Sequence, residues 1–444
     1  MVIPKAGREP LADLEGFLGP FGELVRRSES RASMERYATG LLSDLSRKTA
    51  SDMGRALPGT SDQRLQEFLT NTAWDFREMD RIRIGHMLRH ASAGSGVLVV
   101  DDTGLPKKGK HSVGVGRQYS GTLGRVDNCQ VVVTVHYVDG VFDWPVAGRL
   151  YLPKSWAADS ERRKRARVPE DVPFRTKGEI ALALIDEARE AGLDPVPVVA
   201  DAGYGDQPSL LDGLEARGLP YLVALAGSVH LRLAEEVAQD PGDGPPPRST
   251  RGRPRKAPTL ADRVQPKEAA EILAALPEDA WVKTAWREGT KGALVKEVAR
   301  VRVHRTGLRG KHLATEGWLI GERPIQGHGG DHKQYFAWGL DALGLDDLIE
   351  VAHVRWVIER FYQDAKGELG MDDYEGRLWT GLHRHLALVM LAHSFLTLRQ
   401  SYGPQIEEGP PGAKKGDGPL SPPPARGFPP GGTKKHRRPA AQRT

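Results

Sequence analysis

The chain has 444 residues, of which 39% are apolar, so it can bury a large core and is long enough for two or three domains. Its only cysteine, Cys129, excludes a disulfide framework and a cysteine-based zinc site. No apolar run approaches the roughly 18 residues that span a bilayer, and residues 1–24 are too polar for a signal peptide. These features predict a cytoplasmic protein without a membrane partner.

The formal net charge of +5 comes from the end of the chain. Residues 403–444 hold eight Lys/Arg and three Asp/Glu, an excess equal to that of the whole chain. The segment is dense in Pro and Gly and cannot bury enough apolar surface to fold, so we predict a disordered tail. Its charge is compatible with a nucleic-acid partner, although solvated basic tails are also common.

Residues 1–92 are predicted to form a helical N-terminal domain. Apolar residues recur there at helical spacing, for example at Leu41 and Leu45. Ser61-Asp62 is a helix start signal ahead of another apolar stretch with the same period.

Residues 93–225 alternate between strand and helix patterns, which predicts an α/β core. The apolar run 97–100 leads directly into Asp101 and Asp102, and a later strand ends at Asp201. Open α/β sheets place their functional sites at such strand ends. The remaining patterns are strands at 130–137, 141–152, 196–200 and 221–225, with the hairpin signal Asp139-Gly140, and helices at 176–192 and 210–217.

Residues 226–345 are predicted to form a mostly β insertion into this core. Its linker and strand patterns lie at 240–248, 299–304 and 317–321. Helical patterns return at 346–370 and 376–399, so residues 346–402 are assigned to the C-terminal helices of the core.

A charged stripe in the segment 346–370 is the strongest chemical signal. Arg355, Glu359 and Lys366 are spaced by four and seven residues, which stacks them along one side of a helix. Apolar and aromatic neighbours predict a largely buried helix, and buried charges need partners or metal ions. The stripe is therefore either a structural Arg355–Glu359 ion pair or part of a reaction centre.

Three acids can converge on that stripe. Asp102 and Asp201 stand at strand ends, and Glu359 lies on a helix that can cover them. Carboxylates held together repel unless a cation neutralises them, and oxygen ligands suit magnesium or manganese. Two such ions stabilise the attacking and leaving oxygens of a phosphoryl displacement. The alternative is that both aspartates are turn or cap residues.

Two basic motifs are candidates for binding phosphate groups or DNA. Gly104 to His111 approaches the phosphate-loop pattern, but it lacks the hydroxyl residue and is not followed by a helix pattern. Its lysines are interpreted as lining a phosphate-rich ligand. Arg251 and Arg253 belong to an Arg-Gly-Arg-Pro sequence that suits a narrow DNA minor groove, or is a solvated linker.

The order Asp, Asp, Arg-x3-Glu-x6-Lys resembles the DDE transposases of bacterial insertion sequences, in the group with the Y-REK signature. The resemblance extends over about residues 96–399. It implies a ribonuclease H-like core interrupted by a β-rich insertion. It also implies catalysis by Asp102, Asp201 and Glu359 with Mg²⁺ or Mn²⁺, as two ions. Asp102 is preferred to Asp101 because an Asp-Thr pair after the first strand matches the family.

The resemblance also assigns DNA contacts. Arg355 and Lys366 match the basic positions that hold phosphates, and Trp318 and Trp356 match tryptophans that stack on flipped bases. Core packing is the alternative for both tryptophans. The signature tyrosine falls at Ala352, a departure that bears on whether cleavage passes through a DNA hairpin.

The implied function is a DNA transposase that hydrolyses a phosphodiester bond at element ends and transfers the strand into target DNA. Its partners would be double-stranded DNA and a second subunit assembled on that DNA, in a bacterial nucleoid. The helical N-terminal domain would recognise the element end. Two alternatives stay open: a metal-dependent nuclease that does not join ends, and an inactive relative that only binds DNA.

Overall fold

The computed structural model describes residues 12–90, 96–121, 124–140, 142–193, 197–240, 263–289, 292–306, 313–325 and 330–402. Arg251, Arg253 and the basic tail from residue 403 lie outside the described residues. The predictions for them therefore stay predictions.

The chain begins with short helices whose starts are set by polar side chains. Thr49, Ser61 and Asp75 each accept a hydrogen bond from a backbone N–H in the first turn of the following helix. The predicted helix start at Ser61 is thereby confirmed. The helices are α1 (Ala12–Leu18), α2 (Ser28–Leu42), α3 (Ala50–Ala56), α4 (Asp62–Thr70) and α5 (Phe76–Leu88), with a 3-10 turn at Gly19–Phe21.

The α/β core follows. Its strands are β1 (Val97–Pro106), β2 (Gly116–Ser120), β3 (Arg125–Val138), β4 (Asp143–Tyr151), β5 (Val198–Ala200) and β6 (Tyr221–Leu225). Its helices are α6 (Lys154–Ala157), α7 (Ser160–Arg165), α8 (Lys177–Glu190), α9 (Ala202–Gly205) and α10 (Pro208–Ala216). The predicted hairpin between β3 and β4 is confirmed, and Gly140 supplies the left-handed backbone at the turn with φ of 84°. Thr176 and Glu179 form a capping box that starts α8.

The next block contributes mostly strands, and these strands continue the core sheet. Its elements are β7 (His230–Leu233), α11 (Ala234–Ala238), β8 (Lys267–Glu268), α12 (Ala269–Ala274), β9 (Val282–Gly289), β10 (Gly292–Thr306), β11 (Leu313–Arg323) and β12 (Lys333–Trp338). β12 pairs antiparallel with β6, from Gln334 opposite Leu225 to Trp338 opposite Tyr221. Among the described residues, twelve strands thus form one mixed sheet with the main order β2-β3-β1-β5-β6-β12-β11-β10-β7-β8.

Three helices end the described chain: α13 (Leu345–His353), α14 (Trp356–Gly367) and α15 (Trp379–Tyr402). α15 packs against α2, α4, α5 and β4, so the N-terminal helices and the sheet share one apolar cluster. None of the described helices is both long and apolar enough to cross a bilayer.

The two faces of β1 bury different partners. Val97 and Val99 join a cluster with Ala352 and Ile358 under α13 and α14, whereas Leu98 belongs to the larger cluster on the opposite face. Successive side chains of a strand alternate between faces, so this assignment extends to the acids that follow in β1.

A buried ion network ties α5 to β4 and α15. Arg83 is 0% exposed, and its Nη2 lies 2.9 Å from Asp80 Oδ1. The same guanidinium donates to the Val146 carbonyl at 2.6 Å and to Ser394 Oγ at 3.3 Å. Asp80 Oδ2 in turn lies 3.0 Å from Arg149 Nη1. Because every member is largely removed from water, the network depends on its internal pairing.

Candidate active site

Asp101 and Asp201 lie side by side on one face of the sheet. β1 and β5 are parallel, and Val99 opposite Val199 and Val100 opposite Ala200 are the last register pairs before the two acids. Asp101 is 8% exposed. Burial and the nearby Asp201 carboxylate raise the pKa of Asp101 to about 7, and Arg355 acts in the opposite direction. Burial also raises the pKa of Asp201.

Asp102 points to the opposite face. Lys177 Nζ, at the start of α8, lies 3.0 Å from each of its carboxylate oxygens. The Tyr204 hydroxyl donates to Asp102 Oδ2 at 3.1 Å. The backbone N–H of Tyr204 also donates to Asp201 Oδ1 at 3.2 Å, so Tyr204 links the strand end of β5 to β1. Asp102 is therefore neutralised by a lysine within the protein.

Arg355 connects the covering helix to these acids. Its Nη1 lies 2.9 Å from Asp101 Oδ2, and its Nη2 lies 3.1 Å from Glu359 Oε1. The Arg355–Glu359 ion pair considered from the sequence is formed, and the same guanidinium bridges Glu359 to Asp101. Glu359 keeps 65% of its side chain exposed, so the acid is free to reorient.

One cleft of about 610 Å³ brings several predicted residues together. Asp201, Arg355, Trp356 and Glu359 line it, and the indole of Trp356 is 42% exposed. Ala352 lines the same cleft, at the position of the expected tyrosine. Basic side chains also reach it from the insertion, namely Lys296, His332 and Lys333. The cleft thus combines carboxylates, cations and an open aromatic face.

Trp318 lies apart from this cleft, and two guanidiniums lie over its ring. Arg302 Cζ lies 3.9 Å and Arg300 Cζ 4.4 Å from the ring centroid. The indole N–H donates to Asp341 Oδ1 at 3.1 Å. A base could stack on a ring face that these guanidiniums cover only after they had moved away.

Lys366 reaches the first strand. Its Nζ donates to Thr103 Oγ1 at 2.6 Å and to the Gly104 carbonyl at 3.1 Å, and burial lowers its pKa. These bonds hold α14 against β1.

The donor set suits a hard cation. Asp101, Asp201 and Glu359 offer carboxylate oxygens, the ligands that Mg²⁺ and Mn²⁺ prefer. Among the described residues, no three acid, histidine or cysteine side chains lie close enough to hold an ion as they stand. Arg355 occupies the bridging position between Asp101 and Glu359, so convergence of the three acids on an ion requires this guanidinium to move.

Comparison with known proteins identifies the family. Residues 20–293 match a family model described as DDE superfamily endonuclease. The chain belongs to this family. The match includes Asp101, Asp102 and Asp201 and ends before Glu359.

A relative of this DDE endonuclease carries a more specific name. Over 234 residues the chain is 31% identical to a protein of Microchaete diplosiphon called "Probable transposase for insertion sequence element IS701". The alignment includes 52% of this chain and 59% of the relative, so it spans about three-fifths of the relative's length. The predicted membership of the DDE superfamily is confirmed, and the relative is by its name a probable transposase of an insertion sequence.

From the sequence of this DDE endonuclease, Asp102 was preferred to Asp101, and neither Lys177 nor Tyr204 was predicted to be a site residue. A usable signal existed for Asp101, because the apolar runs of β1 and β5 each lead directly into an acid, Asp101 and Asp201. Equal placement after parallel strands predicts a shared face. Lys177 and Tyr204 carry no local signal, since their contacts with Asp102 are 75 and 102 residues apart in sequence.

Glu322 is a buried acid that was not predicted from the sequence and that contacts residues lining the cleft. Glu322 is 1% exposed, with Oε2 2.6 Å from His353 Nε2 and 3.3 Å from the Tyr335 hydroxyl. Lys296 Nζ contacts the other oxygen. Burial alone would raise the pKa of Glu322, but the bonds from His353 and Lys296 prevail and lower it to about 2.

This pairing predicts an acid-sensitive stability. A carboxylate with a lowered pKa stabilises the fold above its unfolded value of about 4.5, and the contribution is lost as the pH falls through about 2. Urea unfolding between pH 6 and pH 2 should therefore show a loss of about 3 kcal/mol from this group. Glu322→Gln should flatten that part of the pH profile; an unchanged profile would contradict the assignment.

Proposed function

We propose that the chain is a DNA transposase that hydrolyses a phosphodiester bond at element ends and joins the freed 3′ end to target DNA. The observation that carries the proposal is the placement of Asp101 and Asp201 directly after the last register pair of β1 and β5, with Glu359 connected to Asp101 through Arg355. Family membership and the insertion-sequence relative support the same reaction class.

The first catalytic acid is proposed to be Asp101. The sequence comparison with the family favoured Asp102, but the register of β1 and β5 supports Asp101 as the neighbour of Asp201. Asp102 already has Lys177 as its counter-ion. An acid that is neutralised within the protein gains less from a metal ion than a buried carboxyl beside a second acid.

Asp101, Asp201 and Glu359 would hold Mg²⁺ or Mn²⁺, and two such ions would supply stabilisation of the attacking and leaving oxygens. Arg355 would leave its bridge and bind a phosphate oxygen of the DNA strand, a geometry that guanidinium favours. Trp356 offers an exposed indole to a base beside the acids. Lys366 would contact a phosphate only by giving up Thr103 or Gly104.

The finer architecture belongs to the same proposal. The order β4-β3-β1-β5-β6, antiparallel from β4 to β1 and parallel from β1 to β6, supports a ribonuclease H-like core. The N-terminal helices would recognise the element end, although they share their apolar cluster with the core. Two subunits would assemble on the paired DNA ends.

The test uses a labelled duplex that carries the inverted repeats flanking the coding region. The wild-type chain should nick it in Mg²⁺ or Mn²⁺ but not in EDTA, and should join a pre-cut end to a plasmid. Asp201→Asn should do neither while still binding the duplex. Cleavage in EDTA, or nicking by Asp201→Asn at the wild-type rate, would overturn the proposal; nicking without joined product would identify a nuclease.

A further inference from the structure

A strongly basic groove lies away from the acids, beside the short helix α7. About 590 Å³ in volume, it runs between the loop after β1, α7 and the loop before α15. Its polar lining residues include Lys110, His111, Asn128, Arg162, Arg165 and Arg377. The loop after β1 is the segment that approaches the phosphate-loop pattern, and here it leads into β2 rather than into a helix.

The positive charge of the groove is not cancelled by nearby acids. Arg162 donates to the Lys110 carbonyl at 3.4 Å, and Arg165 donates to the Glu161 carbonyl at 3.3 Å. Asp159 is the one acid among the described lining residues, and its side chain caps α7 by accepting the Arg162 N–H at 2.9 Å. Within the described part of the chain, no ion pair joins Lys110, Arg162, Arg165 or Arg377 to a carboxylate.

The groove is held open by buried contacts. The Arg162 guanidinium lies 3.9 Å from the ring centroid of Trp156, which is 2% exposed and donates to the Val115 carbonyl at 2.7 Å. The Arg377 carbonyl accepts the Val113 N–H at 3.2 Å, and the Trp379 N–H donates to the Ala166 carbonyl at 2.9 Å. All three walls are thereby fixed to one another before any ligand binds.

Basic residues also occupy the other side of α7. Four consecutive cations, residues 162–165, form most of the helix, and residues three or four apart share a side. Arg162 and Arg165 face the first groove, while an adjoining groove is lined by Lys154, Arg163, Lys164 and Arg167 together with two acids, Glu161 and Glu170. A ridge with cations on both sides suits a repeating anion such as a nucleic-acid backbone better than a single small anion.

The distance between the groove and the acids is one that a single DNA duplex can span. β1 carries Asp101 and continues to Pro106, a distance of about 17 Å at 3.3 Å per residue. The Lys107 ammonium then donates to the Asp372 and Tyr374 carbonyls at 3.0 and 2.7 Å, which fixes the loop that leads to Lys110. At 3.4 Å per base pair, the groove is about five base pairs or more from the reacting phosphate.

We infer that the α7 groove binds the phosphate backbone of duplex DNA about five or more base pairs from the bond that is cut. The inference rests on the proposed function, which supplies the duplex. Lys110, Arg165 and Arg377 would contact phosphates directly because their side chains are exposed, and Arg162 would present a guanidinium oriented by Trp156. These contacts would position DNA without reading its sequence.

The test measures duplex binding by the full chain in EDTA, as a function of salt. A fluorescent duplex of about 30 base pairs, three helical turns, is titrated with wild type and with the Lys110→Ala, Arg165→Ala, Arg377→Ala triple variant. Each lost phosphate contact makes the slope of log K against log salt shallower by about 0.9, so the triple variant should lose about 2.7. Arg165→Lys with Arg377→Lys should keep the wild-type slope, and Glu161→Gln controls for changes in α7 itself.

The outcomes separate this inference from the proposed function. If wild type and triple variant show equal slopes and equal melting temperatures, the groove does not bind DNA, even when the wild type cuts. If the slope falls as expected but the wild type never nicks DNA in Mg²⁺ or Mn²⁺, the groove inference stands and the proposed reaction fails. A wild type that does not bind the duplex overturns the groove inference outright.

Discussion

Asp101→Asn is expected to lose more than about a hundredfold in the rate of metal-dependent cleavage, whereas Asp102→Asn should keep cutting. A residue that only orients a metal ligand already contributes about 10–100-fold, so loss of a ligand should cost more. Asp101 and Asp201 each follow the last register pair of β1 and β5, and Asp101 bonds Arg355, while Asp102 bonds Lys177 on the other face. Single-turnover nicking of a labelled end duplex at saturating enzyme measures both rates.

Both substitutions preserve side-chain volume, so the unfolding free energy of each variant serves as a control for its cleavage rate. Asp102→Asn weakens a partly exposed pair with Lys177 and should cost about 1 kcal/mol of unfolding free energy. Calorimetric titration with Mn²⁺ adds a readout independent of cleavage: Asp101→Asn should weaken binding and Asp102→Asn should not. The opposite ranking in both assays would identify Asp102, through its Asp-Thr pair, as the ligand.

Truncating Asp80 to alanine should lower the free energy of unfolding by about 3–5 kcal/mol, the range for breaking a buried ion pair. Arg83 is fully buried, and an arginine keeps its charge, so the variant would hold an uncompensated cation among α5, β4 and α15. Arg149 would lose the same partner. Equilibrium unfolding in urea at neutral pH gives the difference.

A matched control lies two residues earlier on the same helix. Glu78 is paired with Arg81 at the surface, with side chains 40% and 62% exposed, so Glu78→Ala should change the unfolding free energy by less than about 0.5 kcal/mol. Similar losses for Asp80→Ala and Glu78→Ala would show that the buried network stabilises the fold no more than a surface pair.

Local sequence patterns were sufficient to predict most helices and strands of the fold. Periodicity and turn residues predicted the β3–β4 hairpin, the helix that starts after Thr176, and the strands within β10 and β11. Each of these signals lies within a few residues of the element it predicts. The α/β class followed from their order along the chain.

Side-chain direction and long-range pairing were harder to predict. The choice between Asp101 and Asp102 depends on which face of β1 meets α14, and this is set by register with β5 about 100 residues later. Trp318 is covered because Arg302 stands directly opposite it across the β10–β11 pair. The contact between Arg302 and Trp318 leaves no trace in the neighbouring sequence.

Because β12 pairs directly with β6, the sheet fixes the distance between the strand that precedes Asp201 and the strand that carries Trp318. Strands lie about 4.8 Å apart, so the three spacings from β5 through β6 and β12 to β11 set the separation between the acid-bearing strand and the strand of Trp318 at about 14 Å. Added residues in the loops leave this measure unchanged. One residue removed from within β12 would slip its register and turn the side chains beyond it to the opposite face. Length variation among functional variants of this chain should therefore be confined to the connections between these strands.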